Sequence, residues 1–329
     1  ATSVKDTTDL LTARAHEKQA SGDWRWRCEC SDTQQELPQY SDLPYKKVMF
    51  VTVMDDASKG CNWLLSAAWN GVPVHVVSPW RYLEQQPPIK FKLQWRTYVF
   101  PKMLQDFQDH DLLFVTDSYD VYFQRPLQQM LNAYHHIRLV SGKPIVVSAE
   151  NNCWDICGHE VYPNVSHARY INTGMFAGPP RLLQEWWQWV VDERMALVGG
   201  KQRMLRRIAL DQTLANLAMP QWGDRVALDT MSTIAHSYYR DGLCYNANQG
   251  TYFGCYSKYY PGMIHFNGPI KHVMSRYLRR LWWYDKALPN WGTVLVDFKV
   301  VNLSTICAGA AAQGSIPAMT PRDQRSEML

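Results

Sequence analysis

A short apolar run that stops at two acids constrains this chain more than any other stretch. Leu112 to Val115 are continuous, apolar and partly β-branched, and Asp117 and Asp120 follow at once. Such a run predicts a strand buried on both faces, which calls for a parallel sheet covered by helices. The acids then emerge at the carboxyl edge of that strand, where open α/β sheets place their ligands. Two carboxylates held that close repel unless a cation sits between them or one is protonated. A divalent metal clamping a phosphorylated ligand is the economical solution.

The rest of the pattern agrees. Lys47–Val53 reads as a strand, Asn62–Trp69 as a helix and Val72–Val77 as a second strand. Phe91–Phe107 is amphipathic enough for a long helix, with a kink expected at Pro101. After the acidic strand come a helix over Leu127–Ile137 and a strand over Pro144–Ser148. Strands alternating with helices imply βαβ units and a mixed, mostly parallel sheet flanked by helices. Beyond Ala149 the alternation degrades. Residues 150–180 read as loop-rich, 181–197 and 209–218 as helices, and Tyr238–Tyr260 as an irregular active-site flank. The expected organisation is an N-terminal extension or stem over 1–44, one domain over 45–306 and a flexible tail over 307–329.

Composition narrows the function. A length of 329 residues with 46% hydrophobic and 19% charged residues describes a globular α/β protein with a substantial core. The formal charge of +4 is too mild to point to a nucleic-acid partner, and the lysine and arginine cluster at 201–207 reads as a solvated helix face. No apolar run reaches the length of a membrane span. Eight cysteines without a CxxC pair favour disulfides over zinc. Cys153 with Cys157 and Cys244 with Cys255 are spaced to close short loops, which fits the secretory-pathway lumen or a secreted protein.

Several other residues belong with the acids. Ser148-Ala149-Glu150 closes the next strand at the same sheet edge. Asn172-Thr173-Gly174 offers small residues where a backbone can approach a ligand. Asp211-Gln212 opens a helix, so Asp211 either caps it or faces the cleft. His265-Phe-Asn267-Gly268-Pro-Ile-Lys271 follows the apolar Met263-Ile264, bringing an imidazole, an amide and an ammonium to another strand end.

The ordered set resembles the glycosyltransferase domain of the multifunctional procollagen lysyl hydroxylases and their viral and protist relatives, from about Val48 to Trp291. The matching pieces, in order, are Val51-Thr52-Val53, Phe114 through Val121, Ser148-Ala-Glu150 with Cys153-Trp154, Ile171 through Phe176, Asp211-Gln212, and His265 through Lys271. The resemblance implies a glycosyltransferase A-type, Rossmann-like fold. It also implies that Asp117, Asp120 and His265 bind Mn²⁺, the histidine favouring a transition metal over Mg²⁺. By the same resemblance Val51, Thr52 and Tyr119 lie by the uridine of a UDP-sugar, and Asn267, Gly268 and Lys271 contact its phosphates. Trp154, Asp211 and Asn172 match positions on the sugar and acceptor side. The family's glycine-rich stretch with a lysine is replaced by Pro87-Pro-Ile-Lys90-Phe-Lys92, which leaves Lys90 as the matching cation. The family's acidic run before the Asp-Gln pair is here Ile208-Ala-Leu210, so one acid, Asp211, stands where several stood.

The expected function is transfer of a sugar, glucose by family precedent and with retention, from a UDP-sugar to a hydroxyl on a protein or glycan. Three alternatives compete. A phosphohydrolase of the aspartyl-nucleophile type spaces its acids two apart, not three. A non-catalytic UDP-sugar or glycan-binding module is kept open by the single acid at 211, while the intact metal residues argue against it. Transfer to a modified nucleic-acid base finds little support in the weak charge.

Overall fold

The structure is a computed structural model that describes residues 30, 34–83, 92–153, 162, 168–194, 211–238, 242–286 and 292–308. Its frame is an eight-stranded sheet. In sequence, β1 is Val48–Val53, β2 Val74–Val77, β3 Leu112–Thr116, β5 Ile145–Glu150, β6 Tyr170–Gly178, β7 Val226–Asp229, β12 Thr293–Val296 and β13 Lys299–Asn302. In space the order is β13-β12-β2-β1-β3-β6-β5-β7. The pairs β1–β2, β1–β3, β12–β2 and β5–β7 are parallel, whereas β6 is antiparallel to both its neighbours and β13 to β12. Only β6 and β13 therefore run against the others, and the sheet is the mixed, mostly parallel one expected.

Helices cover both faces because the strands alternate apolar residues to each side. Phe50, Phe114 and Met175 point to one face, where α1 (Cys61–Trp69) and α3 (Leu127–Ser141) pack Trp63, Leu64, Met130 and Tyr134 against them. Val51, Val115 and Phe176 point to the other, against α2 (Lys92–Gln105), α4 (Pro180–Trp189) and α5 (Asp211–Trp222). Trp186 and Trp187 are fully buried there, with Trp187 5.2 Å from the Phe176 ring. These two tryptophans thus serve packing. Among the described residues no helix is long and apolar enough to cross a membrane.

A second, three-stranded sheet adjoins the first. It is built from β4 (Val121–Phe123), β8 (Ala235–Ser237) and β11 (Met263–His265), in the order β4-β11-β8. Only four residues lie between the end of β3 and the start of β4, so the segment 117–120 is the joint between the two sheets.

Three sequence expectations change. The stretch 150–180 contains β6, nine residues buried throughout, where a loop was expected. Its asparagine, threonine and glycines look like a turn, but tertiary burial overrides that local preference. The flank 238–260 holds the hairpin of β9 (Leu243–Asn246) and β10 (Thr251–Gly254), with Gly250 at φ +62° in its turn. Cys244 does not pair with Cys255 but with Cys30, and Cys61 bonds Cys307. Those partners lie 214 and 246 residues apart, so sequence spacing carried no trace of them. Cys153 and Cys255 are also disulfide-bonded, while Cys157 lies outside the described residues. Residues 34–44 lie along the domain: Gln35 bridges Tyr259, Asn132 bonds Gln39, and Tyr40 contacts His136 at 3.0 Å.

Candidate active site

The joint between the sheets brings two acids and a distant histidine together. The Asp117 amide donates to the Gly174 carbonyl at 2.8 Å, which fixes the start of the joint on β6. At its other end β4 pairs with β11 so that Val121 stands opposite His265, and the Phe266 amide donates to the Asp120 carbonyl at 2.8 Å. Register alone therefore sets His265 beside Asp120, although 145 residues separate them. His265 Nε2 lies 3.4 Å from Asp117 Oδ2 and 3.5 Å from Asp120 Oδ2.

A bulge makes room for the imidazole. Val147 pairs with Phe176 but Ser148 with Asn172, so residues 173–175 bow out of the ladder. Gly174 sits in that bow with its amide bonded to Asn172 Oδ1 at 2.8 Å. A Cβ on Gly174 would run into Nδ1 and Cε1 of His265. That is why a residue without a side chain stands here, and why β6 reads as a loop.

The cluster is buried and charged. Burial alone would lower the His265 pKa, but Asp120 and Asp117 outweigh it and raise it to about 9. Asp120 is driven well below the usual carboxylate range: burial opposes its charge, and Lys271, with Nζ 3.1 Å from Oδ2, and His265 overcome that. Asp117 shifts down as well, against burial, through Arg96 and His265. Two carboxylates and an imidazole whose ligand atoms lie within 4.8 Å of one another suit a divalent cation. The histidine favours a transition metal, since Mg²⁺ prefers an all-oxygen shell.

Next to this centre lies Asp211, the first residue of α5, also buried. Its Oδ1 accepts from the Gln212 amide at 2.9 Å, so it does serve the helix start. Its Oδ2 accepts no hydrogen bond among the described residues and lies 3.6 Å from Arg96 Nη1. Burial raises the Asp211 carboxyl, with Arg96 opposing. Glu150, at the end of β5, ties the two sides together. It accepts from Gln212 Nε2 at 2.5 Å and from Asn267 Nδ2 at 2.7 Å, and burial lifts its carboxyl to about 7.

The other anticipated residues sort as follows. Lys271 is in the cluster, and Asn172 bonds the amide of Gly174, the residue beside the His265 ring. Tyr119, between the acids, donates its hydroxyl to Asp55 just beyond β1. Gly268 is exposed at φ +71° and begins the 3₁₀ turn that carries Lys271. Val51 and Thr52 are buried within β1, Val51 in the core layer under α2, and Asp55 stands at the strand's exit. Asn267 bonds Glu150. Trp154 and Lys90 lie outside the described residues. Two residues were missed. Asp55 had only its place after a strand to mark it. Arg96 had a signal: with Phe100, Met103 and Phe107 it keeps the 4-3-4 spacing of the apolar stripe, putting a charge where a core residue belongs.

Comparison with known proteins now decides the family. A family model described as the PLOD GT domain matches residues 45–287, most of the chain. The chain belongs to that family. As a PLOD GT domain it is a glycosyltransferase, and the expected resemblance holds. An uncharacterized protein of Acanthamoeba polyphaga mimivirus is 26% identical over 174 residues, 52% of this chain and 34% of that relative. The match thus spans about a third of the curated relative's length. Among solved structures, a glycosyltransferase involved in glycosylation of the major capsid of PBCV-1 is 11% identical, with TM-score 0.37, covering 70% of this chain and 97% of that one. The bifunctional glycosyltransferase WbbM is 14% identical, with TM-score 0.42, covering 75% and 52%. Mouse xyloside xylosyltransferase 1 is 11% identical, with TM-score 0.38, covering 68% and 98%.

Proposed function

We propose that this PLOD GT domain transfers a hexose, glucose first among candidates, from a UDP-sugar to a hydroxyl of a protein-linked or glycan acceptor with a Mn²⁺ ion at Asp117, Asp120 and His265. The observation that carries this reading is the meeting of those three ligand atoms within 4.8 Å of one another at the sheet edge. Once bound, the ion would supply Lewis-acid neutralisation of the charge that grows on a leaving diphosphate. The chain's own residues do the rest. Lys271, already 3.1 Å from Asp120, offers a preorganised ammonium to the same leaving group. Asp211 Oδ2, buried and accepting no hydrogen bond among the described residues, is an acceptor for a sugar hydroxyl and a negative charge beside an oxocarbenium-like centre. In a retaining front-face route the leaving oxygen takes the acceptor's proton, so no protein base is required, and Glu150 serves to hold Gln212 and Asn267 in place. Tyr119, bonded to Asp55 at the exit of β1, forms the wall against which a nucleoside would pack.

The disulfides Cys30–Cys244 and Cys61–Cys307 fit folding in an oxidising compartment, in keeping with a secretory-pathway lumen. The domain itself is taken to run from 45 to 306, with Cys30 and Cys307 tied to it by those bonds from beyond its ends.

A panel of UDP-sugars, assayed for UDP release with Mn²⁺ and with EDTA, tests the reading. UDP-glucose is expected to be turned over fastest and only with the metal. Equal UDP release in EDTA would contradict the metal assignment, and release from none of the panel would contradict the donor class.

A further inference from the structure

Arg96 joins two acids that come from different elements. One guanidinium nitrogen, Nη2, pairs with Asp117 Oδ1 at the end of β3, and the other, Nη1, stands 3.6 Å from Asp211 Oδ2 at the start of α5. The second oxygen of Asp117, Oδ2, faces His265 Nε2 at 3.4 Å. The two oxygens of this one carboxylate are thereby given different partners. α2 delivers the arginine from within its packed stripe: Val99, Phe100 and Met103 are buried in the core, and the guanidinium carbon sits 5.6 Å from the Phe100 ring centroid. Burial opposes the charge of Arg96, but Asp117 and Asp211 outweigh it, so it remains a cation. A planar fork with donors at fixed spacing can hold two acids at once, which a lysine ammonium on a flexible stem does not reproduce.

We propose that Arg96 is a positioning residue that couples the metal side of the site to Asp211. Its guanidinium turns Asp117 so that Oδ2, not Oδ1, faces the cation position, and it keeps Asp211 aligned on the same cleft. This inference rests on the glycosyltransferase reading above and extends it to a residue between the ligands and the sugar side. The competing view is that Arg96 merely neutralises buried acids. Any cation neutralises; only a fork bridges. Lysine is therefore the discriminating substitution.

The test uses the full chain with Arg96→Lys, Arg96→Gln, Asp211→Asn and the Arg96→Gln/Asp211→Asn double variant. Urea unfolding is measured first. Free Mn²⁺ is then counted by electron paramagnetic resonance without donor, and kcat and KM are measured for UDP-glucose. Bridging predicts that the double-mutant cycle in unfolding shows coupling of about fivefold or more in the equilibrium constant. It predicts that Arg96→Gln binds Mn²⁺ about 10-fold more weakly than the parent, because Asp117 is then free to turn its ligand oxygen away, whereas mere neutralisation predicts tighter binding once a neighbouring cation is removed. It predicts a kcat about 10- to 100-fold lower, the usual size of an outer-shell loss, with KM little changed. The double variant should be no slower than the slower single one, and Arg96→Lys should not restore the rate. Full turnover in Arg96→Lys, kcat losses that multiply in the double variant, or no coupling in unfolding would each overturn the proposal. A parent chain inert towards Mn²⁺ and UDP-glucose but with the unfolding coupling intact would refute the functional reading and leave the bridge standing.

Discussion

Asp229 and Asp211 are both buried acids, and their surroundings are opposite. Asp229, at the end of β7, is enclosed by donors: Thr233 N at 2.8 Å and Thr233 Oγ1 at 2.9 Å reach Oδ1, while Ile234 N at 2.7 Å and Ala235 N at 3.2 Å reach Oδ2. Burial raises its pKa and these bonds oppose the rise. The acid closes the turn that leads into β8, the strand that pairs Ala235 with Met263 and so supports the one carrying His265. Asp211 accepts from the Gln212 amide on Oδ1 and has the Thr173 side chain beside it, while Oδ2 accepts no hydrogen bond among the described residues and stands 3.6 Å from Arg96. A carboxylate that spends all its lone pairs on the chain is structural. One that keeps an oxygen in reserve is available to a ligand. The same distinction separates His75 from His265. His75 accepts from the Phe298 amide at 3.0 Å and belongs to the packing of the β12–β13 hairpin, while His265 points its Nε2 at two acids.

Substitutions should break the two regions in different ways. The largest effect is expected for Asp120→Ala, which removes a ligand atom and the partner of Lys271. Turnover of UDP-glucose should fall by about 10³-fold or more, with thermal unfolding little changed. An unimpaired rate would place Asp120 with the structural acids. Asp229→Ala should show the reverse. Stranding three backbone amides and a hydroxyl in the interior costs about 3 kcal/mol of stability, read by urea unfolding, while kcat per folded molecule stays the same. If activity fell and stability held, the contrast with Asp211 would be wrong.

The smallest effect concerns pH. Burial lowers the His75 pKa from 6.5 to about 4, with Asp297 opposing. The unfolded chain therefore takes up a proton before the folded one does. Stability from this group is intact above pH 6.5, is lost as pH falls towards 4, and changes no further below that. Screened, the loss is about 2 kcal/mol. Comparing urea unfolding at pH 7 and pH 4.5, the parent should lose more than His75→Gln by about that amount. Equal losses would mean that His75 carries a proton in the folded state.

How far these distinctions could be read from sequence depends on the range of the interaction. β3 and the acids after it were legible because an apolar run and its terminus are local features. His265 was legible as a strand-end residue, and its arrival beside Asp120 follows from register. β6 was not, because the site had altered its composition: Gly174 yields space to the imidazole and Asn172 bonds the Gly174 amide, so a buried strand looks like a turn. The pairing of Cys244 with Cys30 rests on the N-terminal segment meeting β9 in space. Arg96 was written in the stripe of α2, but its two partners are supplied by β3 and α5, and neither is visible from the helix.

The most direct test is diffraction from crystals grown with manganese chloride and UDP, collected at the manganese absorption edge. The account predicts one anomalous peak within bonding distance of Asp117, Asp120 and His265 Nε2, with the UDP phosphates on its open side. A peak elsewhere, or bound UDP with those three side chains turned away from it, would contradict the account.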